Sequence, residues 1–328
     1  MTDNFKNLIE LNDYFKEEKT CYEFLAQKIW ANGEPVCPHC DNTKVYTTKS
    51  RSVKPSKKDI PEYRCANKEC TKKFTATVGT IFQASKIPLR TWYACIFLIT
   101  TSKKGISSLQ LAAQLGITQK TAWFINHRIR EMFKETAPEM LKGIVEVDET
   151  FVGGKNNNRH KNKKRNYEVD GDEKIPVLGL VERGGKIKTF VVPNTKAEIL
   201  QPIMGEFVEA GTTVISDSHR GYWGLNGEYN HISVKHNVGD YKTDSHFHTN
   251  NIENFWSTFK RGIIGIYHQV SPKHLHRYTT EFTYRYNNRK EVSVIKFSDA
   301  VGQAGNATLP YQKLIGKTTE VNTQPLQS

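Results

Sequence analysis

The chain has 328 residues and a formal net charge of +13, from 47 lysines and arginines against 34 aspartates and glutamates. That length can hold two or three domains, and the positive charge favours a polyanionic partner, with nucleic acid as the first candidate. The N-terminus has no basic-then-apolar leader, and the longest apolar run, 92–99, is too short to cross a bilayer. These features argue against a secreted or membrane-spanning protein, so we expect a soluble, intracellular one.

Residues 1–33 predict a short helical lead-in, and a cysteine-rich segment follows it. Four of the six cysteines form two close pairs, Cys37 with Cys40 and Cys65 with Cys70, with 24 residues between the pairs. In a reducing compartment this spacing favours a tetrahedral metal site over disulfides. Strand-like residues at 44–48 and 73–78 complete the pattern of a zinc ribbon at 34–82. We predict one structural Zn²⁺ bound by the four thiolates, with His39 as a bystander. The ribbon lysines that could also touch DNA are Lys54, Lys57, Lys58, Lys72 and Lys73.

Residues 83–138 have helical patterns and contain a helix-turn-helix motif at 106–130. Ser107 or Ser108 can cap the first helix, Gly116 can form the turn, and Thr118 can cap the second helix. In such a motif the second helix enters the major groove of DNA. The side chains that we expect this helix to expose to DNA are Gln119, Lys120, Asn126, Arg128 and Arg130. The alternative is an ordinary helical hairpin inside a domain.

From about residue 143 the pattern changes to alternating strands and helices, which predicts an α/β domain. Strands are expected at 143–154, 175–183, 186–192, 213–217 and 231–235, with the first three antiparallel and the later ones of parallel type. A helix is expected at about 196–210, another around Glu253, and a third at 277–289. The segment 155–165 carries six lysines and arginines and no acid. We interpret it as a flexible loop that can hold phosphates, with an ordinary solvated surface loop as the alternative.

Three carboxylates belong to predicted elements of this domain: Asp148 to the strand at 143–154, Asp217 to the end of the strand at 213–217, and Glu253 to the helix that follows. Two strand ends and one helix can bring them to a single point. A buried carboxylate is costly unless it meets a cation or a hydrogen-bond donor, and oxygen ligands suit Mg²⁺ or Mn²⁺. Strand alternation directs the neighbouring Glu149 to the opposite face. Each acid taken singly could instead be a helix cap or an ion-pair partner.

The order of strands and acids resembles the ribonuclease H-like fold of DDE transposases and retroviral-type integrases. The 35 residues between Asp217 and Glu253 are similar to the interval usual in that superfamily. The closer resemblance is to bacterial insertion-sequence transposases with an N-terminal zinc ribbon. It is carried by the paired cysteines, by Val-Asp-Glu-Thr-Phe-Val-Gly-Gly (147–154), by Ser-Asp-Ser-His-Arg-Gly-Tyr (216–222) and by His-Thr-Asn-Asn-Ile-Glu-Asn-Phe-Trp-Ser-Thr-Phe-Lys-Arg-Gly (248–262).

The resemblance implies a ribonuclease H-like mixed sheet with flanking helices at 139–300. The composition of the remaining residues predicts a polar tail at 301–328. Asp148, Asp217 and Glu253 would be the catalytic residues and the ligands of two Mg²⁺ (or Mn²⁺) ions. The activity implied is metal-dependent DNA cleavage and strand transfer at the ends of the insertion sequence. The partners implied are double-stranded DNA and further copies of the chain, in a bacterial cytoplasm beside the nucleoid. The basic side chains expected on the DNA backbone are Arg220, Lys260 and Arg261.

Three alternatives stay open at this stage. Some relatives place an asparagine near the third acid, so Asn250 or Asn251 could replace Glu253 as the ligand. The chain could be a DNA-binding regulator whose catalytic core has degenerated, although such a relic is expected to have lost an acid. It could also be a nuclease of the same fold that cuts DNA without joining it, which the sequence does not distinguish from a transposase.

Overall fold

The computed structural model describes residues 5–30, 33–49, 59–135, 139–154, 174–234, 247–306 and 308–316. The chain forms two compact units, Met1–Lys134 together with Glu291–Ser328, and Glu135–Lys290. The predicted basic loop at 155–165 and the ribbon lysines Lys54, Lys57 and Lys58 lie outside the described residues. In the described part of the chain, no helix is long and apolar enough to cross a membrane.

The helical part of the first unit is built around an aromatic core. Helices α1 (Leu8–Tyr14) and α2 (Glu18–Ile29) form the predicted lead-in, and α3 (Leu89–Thr101) and α9 (Ser293–Gly302) pack with them. Phe297 of α9 is fully buried, with its ring centroid 5.3 Å from that of Phe5 and 5.4 Å from that of Tyr93. The predicted catalytic domain, 139–300, is therefore too long at its C-terminal end, because this ring anchors α9 in the first unit.

The zinc ribbon is a small antiparallel sheet in the order β1-β2-β3. Its strands are β1 (Val45–Lys49), β2 (Pro61–Cys65) and β3 (Lys73–Phe74). The predicted strand at 73–78 is only two residues long, because the chain turns after Phe74 and Val78 donates to the Thr75 carbonyl. Strand β2 was not among the predicted elements. The rings of Trp30 and Phe74 pack on Tyr63, with centroids 4.9 and 5.6 Å away, and give this small module an apolar centre.

The predicted helix-turn-helix consists of α4 (Ser108–Leu115) and α5 (Gln119–Met132). Ser107 caps α4 by accepting a hydrogen bond from the Gln110 backbone at 3.1 Å. Gly116 ends the helix at φ +64°, a left-handed conformation that favours glycine. Thr118 caps α5 by accepting from the Thr121 backbone at 3.2 Å. The predicted caps and turn are confirmed.

The expected exposure of the second helix is wrong at three of its five positions. Gln119 and Lys120 are exposed, but Asn126, Arg128 and Arg130 are only 2%, 6% and 3% exposed. The Arg128 guanidinium lies over the rings of Phe124 and Trp92, 5.2 and 5.6 Å from their centroids, and donates to the Gln83 carbonyl at 3.3 Å. Its burial lowers the pKa of Arg128 to about 10. The C-terminal half of α5 is therefore an interior element, in which Arg128 packs on aromatic rings.

The second unit contains a five-stranded mixed sheet in the order β6-β5-β4-β7-β8. Its strands are β4 (Ile144–Val152), β5 (Ile175–Glu182), β6 (Ile187–Val191), β7 (Thr213–Ser216) and β8 (Asn230–Ser233). Strands β4, β5 and β6 pair antiparallel, whereas β7 runs parallel to both β4 and β8. This is the predicted ribonuclease H-like order, with β4 at the centre of the sheet.

Helices cover both faces of this sheet. Helix α6 (Ala197–Phe207) packs on the face that includes Val145 and Val147. Helices α7 (Asn250–Gly262) and α8 (Leu275–Asn287) pack on the other face, which includes Val152 and Val177. The predicted apolar stripe of α7 is confirmed, because Ile252, Phe255, Trp256 and Phe259 are all buried.

The predicted polar tail at 301–328 is wrong in its first part. Helix α9 ends at Gly302, and a short helix, α10 (Tyr311–Leu314), follows. Leu309 and Leu314 are each 1% exposed, so this segment contributes to the core of the first unit. Residues 317–328 lie outside the described part of the chain.

Candidate active site

Asp148 and Asp217 lie at the same level on two neighbouring parallel strands. The pairing of β4 with β7 brings Glu146 opposite Ile215, and each aspartate stands two residues further along its strand. Asp217 comes directly after β7, and its Oδ1 accepts a hydrogen bond from the His219 backbone at 2.9 Å. The two aspartates are partly exposed. Parallel pairing thus brings together two acids that are far apart in the sequence.

Glu253 lies in the first turn of α7, on the face of the sheet to which Asp148 belongs. Its side chain is exposed, and its Oε1 accepts a hydrogen bond from the Thr249 hydroxyl at 2.9 Å. The helix lies close to the sheet because Gly179, which pairs with Asp148, has no side chain. A Cβ at Gly179 would stand 2.6 Å from Trp256 Cζ2 and 2.7 Å from Ile252 Cδ1.

Asp217 and Glu253 both act electrostatically on Asp148. The pKa of Asp148 is raised to about 7, first by burial and then by the charges of Glu149, Asp217 and Glu253. In the described residues, the sulfur atoms of the four cysteines are the one set of potential metal ligands that all lie within 4.8 Å of one another. The carboxylate oxygens of the three acids are therefore spaced more widely than that. Neighbouring carboxylates whose charges raise the pKa of Asp148 fit a divalent cation that prefers oxygen ligands, because such an ion offsets their repulsion.

The predicted orientation of Glu149 is confirmed. Its Oε2 accepts a hydrogen bond from the Tyr222 hydroxyl, and its Oε1 lies 3.3 Å from His219 Nδ1. Tyr222 belongs to the core on the α6 side of the sheet, opposite to α7. Burial raises the pKa of Glu149, and the Asp217 charge adds to the rise, while the Tyr222 hydrogen bond opposes it. Glu149 is therefore held by Tyr222 and His219, on the face of β4 opposite to Asp148.

The predicted DNA-contacting cations of this unit are all exposed. Lys260 stands on α7 two turns after Glu253, so the two residues share a face of that helix. The neighbouring Arg261 donates to the Ser257 hydroxyl at 2.6 Å. The Arg220 guanidinium lies 5.5 Å from the ring centroid of the exposed Trp223. Phosphate oxygens can reach all three cations.

The sequence reasoning missed Glu146, which is fully buried. Glu146 accepts hydrogen bonds from Arg183 and from the first turn of α7, including the side chain of Asn251 at 2.7 Å. The available signal was a charged residue in the middle of an apolar strand, on the same side of β4 as Asp148. The hydrogen bond to Glu146 engages the side-chain amide of Asn251, which is one of the two alternatives for the third metal ligand. The other alternative, Asn250, is exposed.

The four cysteines of the ribbon meet as predicted. Cys37 Sγ lies 3.8 Å from Cys70 Sγ, and Cys40 Sγ lies 3.5 Å from Cys65 Sγ. A tetrahedral zinc site with Zn–S bonds of about 2.3 Å separates its thiolates by about 3.8 Å. His39 is exposed and does not belong to the group, while Lys72 and Lys73 are exposed on the same module. The residues therefore fit one structural Zn²⁺.

Comparison with known proteins gives a family match for the mixed-sheet domain and another for the zinc ribbon. Residues 140–287 match the ISXO2-like transposase domain, and residues 16–73 match the transposase zinc-ribbon domain. An uncharacterized protein in transposable element ISH50 of Halobacterium salinarum is 27% identical over 258 residues, which cover 75% of this chain and 83% of that protein. An uncharacterized transposase-like protein of Haemophilus influenzae is 30% identical over 115 residues, which cover 34% of this chain and 91% of that protein. With its zinc ribbon and its ribonuclease H-like sheet, the chain belongs to the family of ISXO2-like transposases.

Proposed function

We propose that this transposase binds the ends of its own insertion sequence, cleaves them, and joins them to target DNA. The catalytic residues would be Asp148, Asp217 and Glu253, acting as metal ligands. The observation that carries the proposal is the placement of Asp148 and Asp217 at the same level of the neighbouring strands β4 and β7, with Glu253 in the first turn of α7 on that face of the sheet. Three carboxylates from a strand, a strand end and a helix that share one electrostatic environment are suited to hold divalent cations.

The chemistry assigns separate roles to the side chains. Two Mg²⁺ (or Mn²⁺) ions bound there would activate the attacking hydroxyl and stabilise the leaving oxygen of a phosphodiester. Asp148 and Asp217 would hold them from the sheet, and Glu253 would hold them from α7. Arg220, Lys260 and Arg261 would neutralise the phosphates of the bound strand.

Recognition of the DNA ends would belong to the start of α5. Gln119 and Lys120 are exposed there, and Gln119 Nε2 donates to the Ser108 hydroxyl at 3.0 Å. The amide could leave this bond for a base edge in the major groove. Asn126, Arg128 and Arg130 do not fit this role because they are buried. The active form would be an assembly of two or more copies of the chain on paired DNA ends, in the cytoplasm beside the nucleoid.

Retention of the whole site supports an enzyme over a DNA-binding regulator with a degenerate core. All three acids are present, and Thr249 holds the side chain of Glu253. A nuclease that cuts without joining would use the same residues, so only the reaction products separate it from a transposase.

The test uses the full chain, Mg²⁺ or Mn²⁺, and a DNA duplex that carries the terminal inverted repeats expected in the DNA that flanks the gene. We expect nicks at the repeat ends and, with a target plasmid added, joined products that sequencing identifies. The matched control is Asp148→Asn, which should bind the duplex and leave it intact. Nicks without joined products would support the nuclease, and end binding without nicks by the wild-type protein would support the regulator.

A further inference from the structure

We infer that Glu146 is a positioning residue of the catalytic site: it fixes the start of α7 and thereby places Glu253 beside Asp148. The inference rests on the proposed function, because it concerns the same set of carboxylates. Glu146 itself is 0% exposed and points into the interface between β4 and α7. It would act through Glu253 and would not touch metal or DNA.

The carboxylate of Glu146 is saturated with donors. Its Oε2 accepts from the backbone N–H groups of Asn251 and Ile252, at 2.9 and 3.1 Å. Its Oε1 accepts from Asn251 Nδ2 at 2.7 Å and from Arg183 Nε at 2.8 Å. A buried carboxylate is costly unless such donors surround it, so the start of α7 and β4 are strongly held together.

This contact replaces the usual local cap of a helix. The first N–H groups of a helix have no partner within it, and a side chain just before the helix commonly accepts from them. Thr249 occupies that position but makes no such bond, and its hydroxyl donates to Glu253 instead. A residue 105 positions earlier in the chain caps the helix. Its negative charge also suits the positive end of the helix dipole.

Arg183 extends the clamp to the residues before the helix. Its Nη2 donates to the His248 carbonyl at 2.7 Å and to His248 Nδ1 at 3.2 Å, while its Nε donates to Glu146. The backbone N–H of Asn250 also points to His248 Nδ1, at 3.3 Å. The entry to α7 and its first turn are thus tied to the central strand by one ion pair.

The geometry connects this clamp to the catalytic carboxylates. Glu146 and Asp148 are two residues apart on β4, so their side chains share a face and are spaced by about 6.6 Å along the strand. Glu253 directly follows Ile252, whose N–H Glu146 holds. A shift of the helix start would therefore move Glu253 relative to Asp148, and ligand sites tolerate only small displacements.

The experiment compares how DNA cleavage depends on Mn²⁺ in variants of the full chain. Glu146→Gln keeps the size of the side chain but loses the charge and turns an acceptor into a donor. The double variant Glu146→Gln/Arg183→Gln also avoids leaving a buried guanidinium unpaired. The matched control is Glu281→Gln, since Glu281 is equally buried and bonds to Arg285 and Tyr267, away from the start of α7.

We expect the half-saturating Mn²⁺ concentration to rise by about tenfold or more in both Glu146 variants, with excess Mn²⁺ restoring part of the rate. End binding in gel shifts should stay at the wild-type level. Glu281→Gln should change the unfolding temperature without moving the Mn²⁺ dependence. The inference is overturned if the folded Glu146 variants keep the wild-type Mn²⁺ dependence, or if Glu281→Gln shifts it as much. Failure of the proposed function looks different, because the wild-type chain would then cleave no DNA at any Mn²⁺ concentration.

Discussion

Asp148 and Gly179 face each other across the antiparallel pair β4–β5, and the missing side chain of Gly179 leaves the space that α7 occupies. Trp256 and Ile252 of α7 fill this space next to the strand that carries Asp148. One glycine in β5 thereby sets how closely the Glu253 helix approaches Asp148.

Gly179→Ala should weaken both folding and catalysis. The added Cβ would lie 2.6 Å from Trp256 Cζ2 and 2.7 Å from Ile252 Cδ1, so these two side chains of α7 must shift away from the strand. Overpacking of this kind costs about 1–3 kcal/mol of unfolding free energy. Urea unfolding and Mn²⁺-dependent nicking measure the two effects. The control is Gly205→Ala in α6, where a Cβ meets nothing within 4 Å and stability should stay level or rise. Equal behaviour of the two variants would refute the packing role.

Asp148→Asn, Asp217→Asn and Glu253→Gln should each abolish cleavage and strand transfer while leaving folding and end binding intact. Each change removes a ligand charge and keeps the shape of the side chain. Rates should fall by several orders of magnitude, because metal activation supplies much of the acceleration. Nicking assays and gel shifts on the same samples separate chemistry from binding. An active Glu253→Gln enzyme would make Asn250 the candidate for the third metal ligand. An active aspartate variant would contradict the mechanism.

The stability of the magnesium-free protein should fall as the pH rises from about 5 to about 8. The folded-state pKa of Asp148 is about 7, above its ordinary value of 3.8, so its protonated form favours the folded state. That contribution is complete below the unfolded pKa and is lost as the pH passes through the folded one. Urea unfolding at several pH values measures the slope of unfolding free energy against pH. Chelators are left out because they would strip the zinc. Asp148→Asn or added Mg²⁺ should flatten it, and a wild-type slope in Asp148→Asn would exclude this residue as the cause.

The zinc ribbon should lose its metal when one cysteine pair is removed. Elemental analysis should find about one zinc per wild-type chain, and less in the double variant Cys37→Ser/Cys40→Ser, because two thiolates cannot close a tetrahedral site. The control is Cys21→Ser, a buried cysteine outside the group. A wild-type protein that folds its ribbon without zinc would overturn the assignment.

Substitutions in α5 should separate DNA contact from folding. Gln119→Ala and Lys120→Ala should weaken binding to the element's ends without changing stability, with about 1–3 kcal/mol lost for a bidentate base contact. Arg128→Ala should instead lower the unfolding temperature, because its guanidinium packs between Trp92 and Phe124. Fluorescence anisotropy on end-containing DNA and thermal melts give the two readouts. Unchanged binding in Gln119→Ala/Lys120→Ala would move recognition elsewhere, with the ribbon as the next candidate.

The amino-acid sequence alone predicted the features of this protein that depend on residues close together in the chain. Cysteine spacing gave the zinc group, and strand alternation correctly separated Asp148 from Glu149. The caps Ser107 and Thr118 follow from hydrogen bonds within three residues, which a sequence displays directly. The patterns of strands and helices gave the order of strands along the chain, and that order carried the resemblance to transposases.

Tertiary structure decided the features that depend on distant partners. Arg128 is a residue type that commonly contacts DNA, but its guanidinium packs on aromatic rings of α3 and α5. Phe297 draws α9 into the first unit, against the predicted domain boundary. Glu146 caps a helix 105 residues away, although nothing near it in the sequence indicates a partner. Periodicity and capping report interactions a few residues apart, whereas the burial of a charge depends on which elements pack against it.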